Sequence, residues 1–196
     1  MNKNSNGYKI KDFVLLGIVT AIYFVLYMVI GFATAGLNPL LHAFSPAVFS
    51  LVGGTVVLFL MYKVPKFGIL TLQTLLLFAL VTVIGMGYLP WFISSVVCAV
   101  LADLIAASSS YKSTWKNGIG YGLMQVGSSA GGIIPAMFFA EGYKAEWTAR
   151  GMTAEQMDAS IAVSTGVIGV VVLVVTFIAG FIGILIAQKI LAKHFK

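Results

Sequence analysis

Long apolar runs almost free of charged side chains are the feature that most constrains this fold. Of the 196 residues, 60% are hydrophobic and only 9% are charged, and the mean hydropathy is +1.01. An ordinary soluble domain has about 25% charged residues. A helix that crosses a bilayer needs about 20 predominantly apolar residues, because its backbone polar groups find no water there. The sequence therefore predicts an all-α membrane protein, folded as one compact helical bundle over residues 1–196.

Six apolar segments are separated by turns rich in glycine, proline or charge. The turn Lys63-Val64-Pro65-Lys66 ends the second segment, since proline cannot continue a helix. In the long polar segment 141–158, Thr153-Ala154-Glu155-Gln156 fits a capping box and predicts a helix start near Thr153. Gly166 and Gly169 are candidate bend points in the last segment. The six predicted transmembrane helices cover residues 13–35, 46–62, 68–84, 91–107, 118–140 and 161–191.

The basic residues indicate how the bundle is oriented. Ten of the twelve lie before the first segment, in alternate loops or after the last segment, and only Lys144 and Arg150 lie on the other side. Cytoplasmic loops carry the excess of Lys and Arg in membrane proteins. Both termini are therefore predicted to be cytoplasmic, in a multi-pass protein of the cytoplasmic membrane. The net charge of +6 follows from this topology and does not call for nucleic acid as a partner.

The fifth segment contains the glycine-rich stretch GIGYGLMQVGSSAGGIIP, residues 118–135. Small residues let membrane helices approach each other closely. Gln125 shares a helical face with Ser128 and Ser129, and polar groups at membrane depth should face the interior of the bundle or a cavity. They serve either hydrogen bonds between helices or contact with a ligand, and Gln125 is the better candidate for the second role.

The residues Gly127 to Gly131 also match G-x-S-x-G, the nucleophile pattern of serine hydrolases, with Ser129 as the serine. Such a serine needs a base. The only histidines are His42, in an outer loop, and His194, near the cytoplasmic end. Neither suits an intramembrane hydrolase, which stays as a disfavoured alternative. Cys98 is the single cysteine, and no metal-binding spacing is present, so we expect no catalytic residue, metal site or cofactor.

Asp103, near the cytoplasmic end of the fourth segment, is a carboxylate within an apolar run. Intramembrane carboxylates often have functional roles. Because Lys112 or Lys116 is close enough in sequence to pair with it, a structural or interface role is favoured over substrate binding.

The outer loops collect aromatic, amide, imidazole and carboxylate groups. Aromatic residues at this depth commonly anchor a protein at the membrane surface, but the combination also suits a pocket for a small planar polar ligand. With Gln125 and Ser128, the candidate substrate-binding residues are Asn38, His42, Tyr88, Trp91, Glu141, Tyr143 and Trp147.

Two helices carry small residues at four-residue spacing. Gly17 and Ala21 lie one above the other on the first, as do Ala179, Gly183 and Ala187 on the last. Such faces mark close helix contacts, within one chain or between chains. The pattern leaves open which of the two applies.

The whole chain resembles the substrate-binding S components of energy-coupling factor (ECF) transporters. Its first span, KIKDFVLLGIVTAIYFVLYMVIGF, is most similar to the S-component family called Trep_Strep, or MptD-like, and the stretches YKVPKFG and VLADLIA are also similar. The resemblance implies a transport subunit without enzyme activity of its own. Such a subunit captures a water-soluble vitamin or related micronutrient in an outward-facing pocket formed by spans 4 to 6 and the outer loops.

The resemblance also implies that the protein topples in the membrane to release its substrate. Toppling depends on a shared ECF transmembrane coupling protein and two ATPase subunits. An Ala-x-x-x-Ala element on the first span makes the docking contact in this class, and here it reads Gly17-x-x-x-Ala21. The absence of a Walker motif agrees with ATP hydrolysis by partners. Glu141 and Glu146 favour a neutral or cationic heterocycle as substrate. A membrane assembly protein that binds no ligand is the other alternative.

Overall fold

The computed structural model describes residues 7–193, and this part of the chain folds into α-helices without strands. The prediction of an all-α protein is therefore confirmed. The helices are α1 (Ile10–Ala35), α2 (Pro39–Ala43), α3 (Ser45–Lys63), α4 (Ile69–Val83), α5 (Leu89–Ala107), α6 (Thr114–Phe138), α7 (Ala140–Ala149), α8 (Ala154–Ser164) and α9 (Gly166–Leu191).

Four of these helices, α1, α3, α5 and α9, are long and apolar enough to cross a membrane. Helix α6 passes the same test only together with α7, from which it is bent by 115°, and α4 has only 15 residues. The described residues thus contain four candidate spans, or five if the bent pair is one span. The expected six spans and their orientation stay predictions.

The last predicted span, 161–191, is wrong as a continuous helix. Helix α8 ends at Ser164, Thr165 is extended (φ −111°, ψ 168°), and Gly166 begins α9 with a φ of 58°. This left-handed backbone favours glycine, so the bend expected at Gly166 is present. The capping box is also confirmed: Gln156 N donates to Thr153 Oγ1 over 3.1 Å, and Thr153 N donates to Gln156 Oε1 over 2.8 Å.

The fifth predicted span, 118–140, begins and ends earlier than expected. The Ser113 side chain caps the N-terminus of α6, which therefore begins at Thr114. At the other end α6 stops at Phe138, and the chain turns sharply into α7. Segments expected as outer loops form α2 and α7.

Helix α6 lies between α5 and α9, and α9 also packs on α3. Glycines make these approaches close. A Cβ at Gly54 on α3 would lie 2.7 Å from the carbonyl carbon of Gly183 on α9, and one at Gly180 would lie 2.7 Å from the Cα of Gly122 on α6. The small-residue stripe of α9 is therefore an intramolecular contact.

The small-residue stripe of α1 is different, because it faces away from the bundle. A Cβ built at Gly17 meets no atom of the described residues within 4 Å, and Ala21 is exposed. In α1 only 22% of the span window is buried, compared with 50% in α3. The fold thus leaves this face uncovered.

The end of the bundle that carries the basic turns is tied together by polar contacts. Lys66 Nζ lies 2.6 Å from Asp12 Oδ2, and the Tyr8 hydroxyl lies 3.0 Å from the carbonyl oxygen of Phe67. Partial burial, with Asp103 and Asp12 nearby, raises the pKa of Tyr8 to about 12, so this phenol stays protonated and able to donate.

The expected pairing of Asp103 with Lys112 or Lys116 is wrong, since neither forms an ion pair with it in the described part of the chain. The carboxylate is fully buried. It accepts from the backbone N–H of Leu70 over 3.1 Å and of Thr71 over 2.8 Å, and the Tyr111 hydroxyl lies 2.8 Å away. Its role in the fold is structural, as the sequence favoured.

Candidate functional site

A cleft of about 480 Å³ lies where the turn between α4 and α5 meets α7. It is at the opposite end of α4 and α5 from Asp103, and its volume falls in the range of small-molecule sites. We call it the outer cleft. It is lined by Phe78, Gly87, Tyr88, Leu89, Pro90, Gly142, Glu146 and Arg150.

Three of the predicted aromatic residues come together beside the outer cleft. The ring centroid of Tyr88 lies 5.9 Å from that of Tyr143 and 5.6 Å from that of Trp147. Partial burial raises the pKa of Tyr88, and the nearby Glu146 carboxylate adds to this effect while Arg150 opposes it. The Tyr88 hydroxyl is therefore a neutral hydrogen-bonding group at physiological pH.

Arg150 is a central residue of the outer cleft that sequence reasoning missed. Its guanidinium contacts Glu146 Oε1 through Nη2 (2.6 Å) and Nε (3.0 Å), and Nη1 donates to the Gly87 carbonyl over 2.8 Å. The same group lies 5.2 Å from the ring centroid of Trp147 and 6.0 Å from that of Tyr88. Oppositely charged residues four apart pair on the surface of a helix. The spacing of Glu146 and Arg150 therefore predicts their contact only if residues 140–149 are known to be helical.

A second, much smaller cavity of about 20 Å³ lies deeper, between α1, α4, α5 and α6. We call it the inner chamber. A space of this size holds one water molecule. It is lined by Tyr23, Tyr27, Thr74, Leu77, Trp91, Ser95, Met124, Gln125 and Ser128.

Three predicted site residues, Trp91, Gln125 and Ser128, meet at the inner chamber. Gln125 Nε2 donates to the Tyr23 hydroxyl over 2.6 Å, and Trp91 Nε1 donates to Ser128 Oγ over 3.1 Å. Gln125 is buried, with 2% of its surface exposed. Its face of α6 is therefore turned toward α1 and α5.

Ser95 also lines the inner chamber, and sequence reasoning did not single it out. Its side chain is only 4% exposed, and its Oγ has no hydrogen-bond partner among the described residues. Ser95 lies one helical turn after Trp91 on α5, so their shared face was the signal that could have found it.

Trp91 stands between the two cavities. Its ring centroid lies 5.7 Å from that of Phe78, which lines the outer cleft, and 6.3 Å from that of Tyr27, which lines the inner chamber. The outer cleft and the inner chamber are thus neighbours with an aromatic partition between them.

The other predicted site residues lie elsewhere. Asn38 caps α2 by accepting from the Leu41 backbone N–H over 2.7 Å, and His42 Nδ1 lies 3.3 Å from Thr34 Oγ1. Glu141 is exposed in the first turn of α7. None of the three is among the residues that line the outer cleft or the inner chamber.

Ser129 points to α9 instead of either cavity. Its Oγ lies 3.2 Å from Thr176 Oγ1, and the G-x-S-x-G residues lie within α6. The hydrolase pattern places its serine on a sharp strand-to-helix turn, which differs from this geometry. His42 lies beside Thr34, and His194 lies outside the described residues.

Comparison with known proteins identifies a family for this chain. Searches of curated proteins and of solved structures find no similar protein. A family model described as a hypothetical bacterial integral membrane protein (Trep_Strep) matches residues 10–196, which is nearly the whole chain. The chain therefore belongs to the Trep_Strep family of bacterial integral membrane proteins.

Proposed function

We propose that this protein is the substrate-capture (S) component of an ECF-type ABC importer. It binds a small water-soluble vitamin or related micronutrient from outside and docks on a transmembrane coupling protein that two ATPase subunits drive. In this proposal the chain crosses the cytoplasmic membrane six times with both termini in the cytoplasm. The observation that carries the proposal is the outer cleft with its aromatic rings and its paired Glu146 and Arg150.

The chemistry of the outer cleft suits a small planar ligand. Tyr88 lines the cleft and packs on Trp147 behind it, and aromatic walls with a few polar groups are typical of small-molecule sites. Glu146 and Arg150 neutralise each other, so the cleft presents hydrogen-bonding groups without a large net charge. A ligand of vitamin size fits a cavity of about 480 Å³.

Docking is supported by the uncovered face of α1. Gly17 and Ala21 form a flat strip on which a partner helix can pack closely. The strip is flanked by Val14 and Ile18, which are 57% and 56% exposed. These features suit contact with a helix of the coupling protein, while capture and docking use different surfaces.

A membrane assembly protein without a ligand is the second candidate. The small size of the inner chamber, about 20 Å³, and the close glycine packing around α6 favour it. The two candidates differ in one measurable property, because only the first has a ligand that stabilises the folded state.

The deciding experiment is a thermal-unfolding screen of the purified protein against a library of vitamins and nucleobases. We expect one compound class to raise the unfolding temperature, since a ligand at 100 times its Kd adds about 2.7 kcal/mol of stability. Tyr88→Ala and Trp147→Ala should each reduce that shift.

Trp115→Ala is the matched control, because Trp115 is 68% exposed and packs on Phe181 at the other end of α6. It should leave the ligand-induced shift unchanged. A library without a stabilising compound would favour the ligand-free assembly protein.

A further inference from the structure

The inner chamber has a consistent chemical character. In the described structure its nine lining residues are all uncharged. Asp103, two turns beyond Ser95 on the same helix, is already hydrogen-bonded to the first residues of α4. A carboxylate or ammonium group entering the chamber would lose its hydration without gaining a countercharge. An uncharged polar group meets no such penalty.

The chamber also has hydrogen-bonding capacity to spare. Ser95 Oγ is buried without a partner among the described residues and borders the cavity. Ser128 Oγ accepts from Trp91 over 3.1 Å, and a hydroxyl oxygen can accept a second hydrogen bond. An unpaired buried hydroxyl is costly, so a polar group placed between Ser95 and Ser128 would be stabilised.

The chamber must open to take anything larger than a water molecule. With a volume of about 20 Å³ it is too small for a ring or an amide. Trp91 lines the chamber on the side of Phe78, which lines the outer cleft, and is held by its 3.1 Å hydrogen bond to Ser128. Rotation of the indole away from Ser128 would open the chamber toward Phe78 and release the Ser128 hydroxyl.

We propose that the inner chamber is the deep subsite of the capture site, which takes the uncharged amide or hydroxyl end of a planar substrate after the Trp91 indole leaves Ser128. The proposal rests on the proposed capture function and names its substrate class. The substrate carries a neutral hydrogen-bonding group at one end of an aromatic or heteroaromatic ring. Its ring takes the place beside Phe78 and Tyr27 that the indole vacates.

Benzamide and benzoate test this proposal, because they have nearly the same shape and differ in charge. The full-length protein has three tryptophans, so Trp115→Phe and Trp147→Phe leave Trp91 as the only one. We expect benzamide to change the Trp91 fluorescence in a saturable way and benzoate to bind at least about tenfold more weakly.

Ser95→Ala should weaken benzamide binding about fivefold, the usual effect of one lost hydrogen bond. Ser94→Ala is the matched control on the same helix, because Ser94 Oγ is bonded to the backbone oxygens of Pro90 and Trp91. It should leave the affinity unchanged. Ser95→Cys, which replaces the hydroxyl by a slightly larger and weaker hydrogen-bonding thiol, should fall between Ser95→Ala and the parent.

The deep-subsite proposal is overturned if benzamide gives no saturable change in Trp91 fluorescence, if benzoate binds as tightly as benzamide, or if Ser95→Ala leaves benzamide binding unchanged. After any of these results the capture function is still supported if a compound of the vitamin and nucleobase library raises the unfolding temperature and Tyr88→Ala reduces that rise. Conversely, a Ser95-dependent benzamide response without a stabilising library compound supports the subsite and contradicts vitamin capture.

Discussion

Asp103 acts as the helix cap that α4 lacks in its own sequence. Gly68 precedes α4 with a φ of 91° and has no side chain to accept from the first backbone N–H groups. The free N–H groups of a helix N-terminus carry partial positive charge and need acceptors. The Asp103 carboxylate supplies them from α5, with the Thr71 hydroxyl donating to it as well over 2.6 Å.

Asp103→Ala should therefore lower the free energy of unfolding by about 3 kcal/mol, because it leaves the backbone N–H groups of Leu70 and Thr71 without an acceptor. The Tyr111 hydroxyl keeps the Lys66 carbonyl oxygen, 3.0 Å away, as its acceptor. Asp103→Asn, which keeps one acceptor oxygen, should cost less. Thermal unfolding of the purified protein in detergent measures both effects.

The matched control is Asp158→Ala. The Asp158 side chain is 63% exposed and pairs with Lys144 on the surface, and exposed pairs contribute at most about 1 kcal/mol. Equal losses for Asp103→Ala and Asp158→Ala would contradict the capping role.

The sequence marked Asp103 as unusual but could not identify its partners. They depend on the loop between α5 and α6, where Ser110 and Tyr111 both have positive φ values, 51° and 61°. This backbone is rare outside glycine and has no strong sequence signal. It turns the Tyr111 ring back onto Asp103 and leaves Lys116 to bond Ser108 instead, over 2.9 Å.

At the scale of the helix, two small-residue stripes that look alike in sequence have opposite surroundings. The stripe on α9 is buried against α3 and α6, whereas the stripe on α1 is open. The same substitution should therefore have different consequences in the two places.

Gly183→Leu should prevent formation of the α3–α9 contact, because a Cβ there already collides with the Ser50 backbone. Gly17→Leu should leave the unfolding temperature within about 2 °C, since it fills open space and leucine favours helix. If α1 docks on the coupling protein, Gly17→Leu and Ala21→Leu should both reduce co-purification with a co-expressed ECF module.

Ile190→Leu, an apolar exchange at an exposed position of α9, is the control for co-purification. Undiminished assembly of Gly17→Leu and Ala21→Leu would contradict docking through α1. A folded Gly183→Leu protein with the parent's stability would contradict the packing argument.

Helix positions were predictable from sequence where the apolar run itself sets the limits. The predicted segments 46–62 and 91–107 match α3 and α5 within two residues, since proline, charged residues or a run of serines bound these segments. In the last segment the sequence indicated a bend at Gly166 but not a complete break, because residues 161–191 are mostly apolar and the interruption depends on the extended backbone of Thr165 and the positive φ of Gly166.

The candidate site was predictable in part. Tyr88, Tyr143 and Trp147 meet because α7 folds back over the start of α5. His42 lies in α2 and Asn38 caps this helix, which packs against α8. The position of α7 follows from the 115° bend after α6, which composition alone cannot reveal.

At the scale of the whole molecule, the predicted orientation rests on charge. One end of the bundle contains the basic turns, and there Lys66 contacts both Asp12 and Tyr111. The outer cleft lies at the other end. By the positive-inside rule we predict that the outer cleft faces the outside of the cell.

Cysteine labelling tests this orientation. In a Cys98→Ser background, which removes the only native cysteine, Ala149→Cys and Ser110→Cys place single thiols at exposed positions at opposite ends. We expect a membrane-impermeant maleimide to label Ala149→Cys in intact cells and Ser110→Cys only after permeabilisation. The reverse pattern would overturn the orientation, and labelling of both in intact cells would contradict an odd number of crossings between them.

The distribution of glycines has a mechanical consequence. Where backbones touch, as between α3 and α9 or α6 and α9, no side chains remain to rearrange, so these helices move as one rigid body. Helix α1 instead contacts α6 and α5 through longer side chains, such as Tyr23 on Gln125 and Tyr27 beside Trp91. Such contacts can change by rotation of a side chain, which a contact between two backbones does not allow. We therefore expect the bundle to open along α1, whose Tyr23 and Tyr27 line the inner chamber.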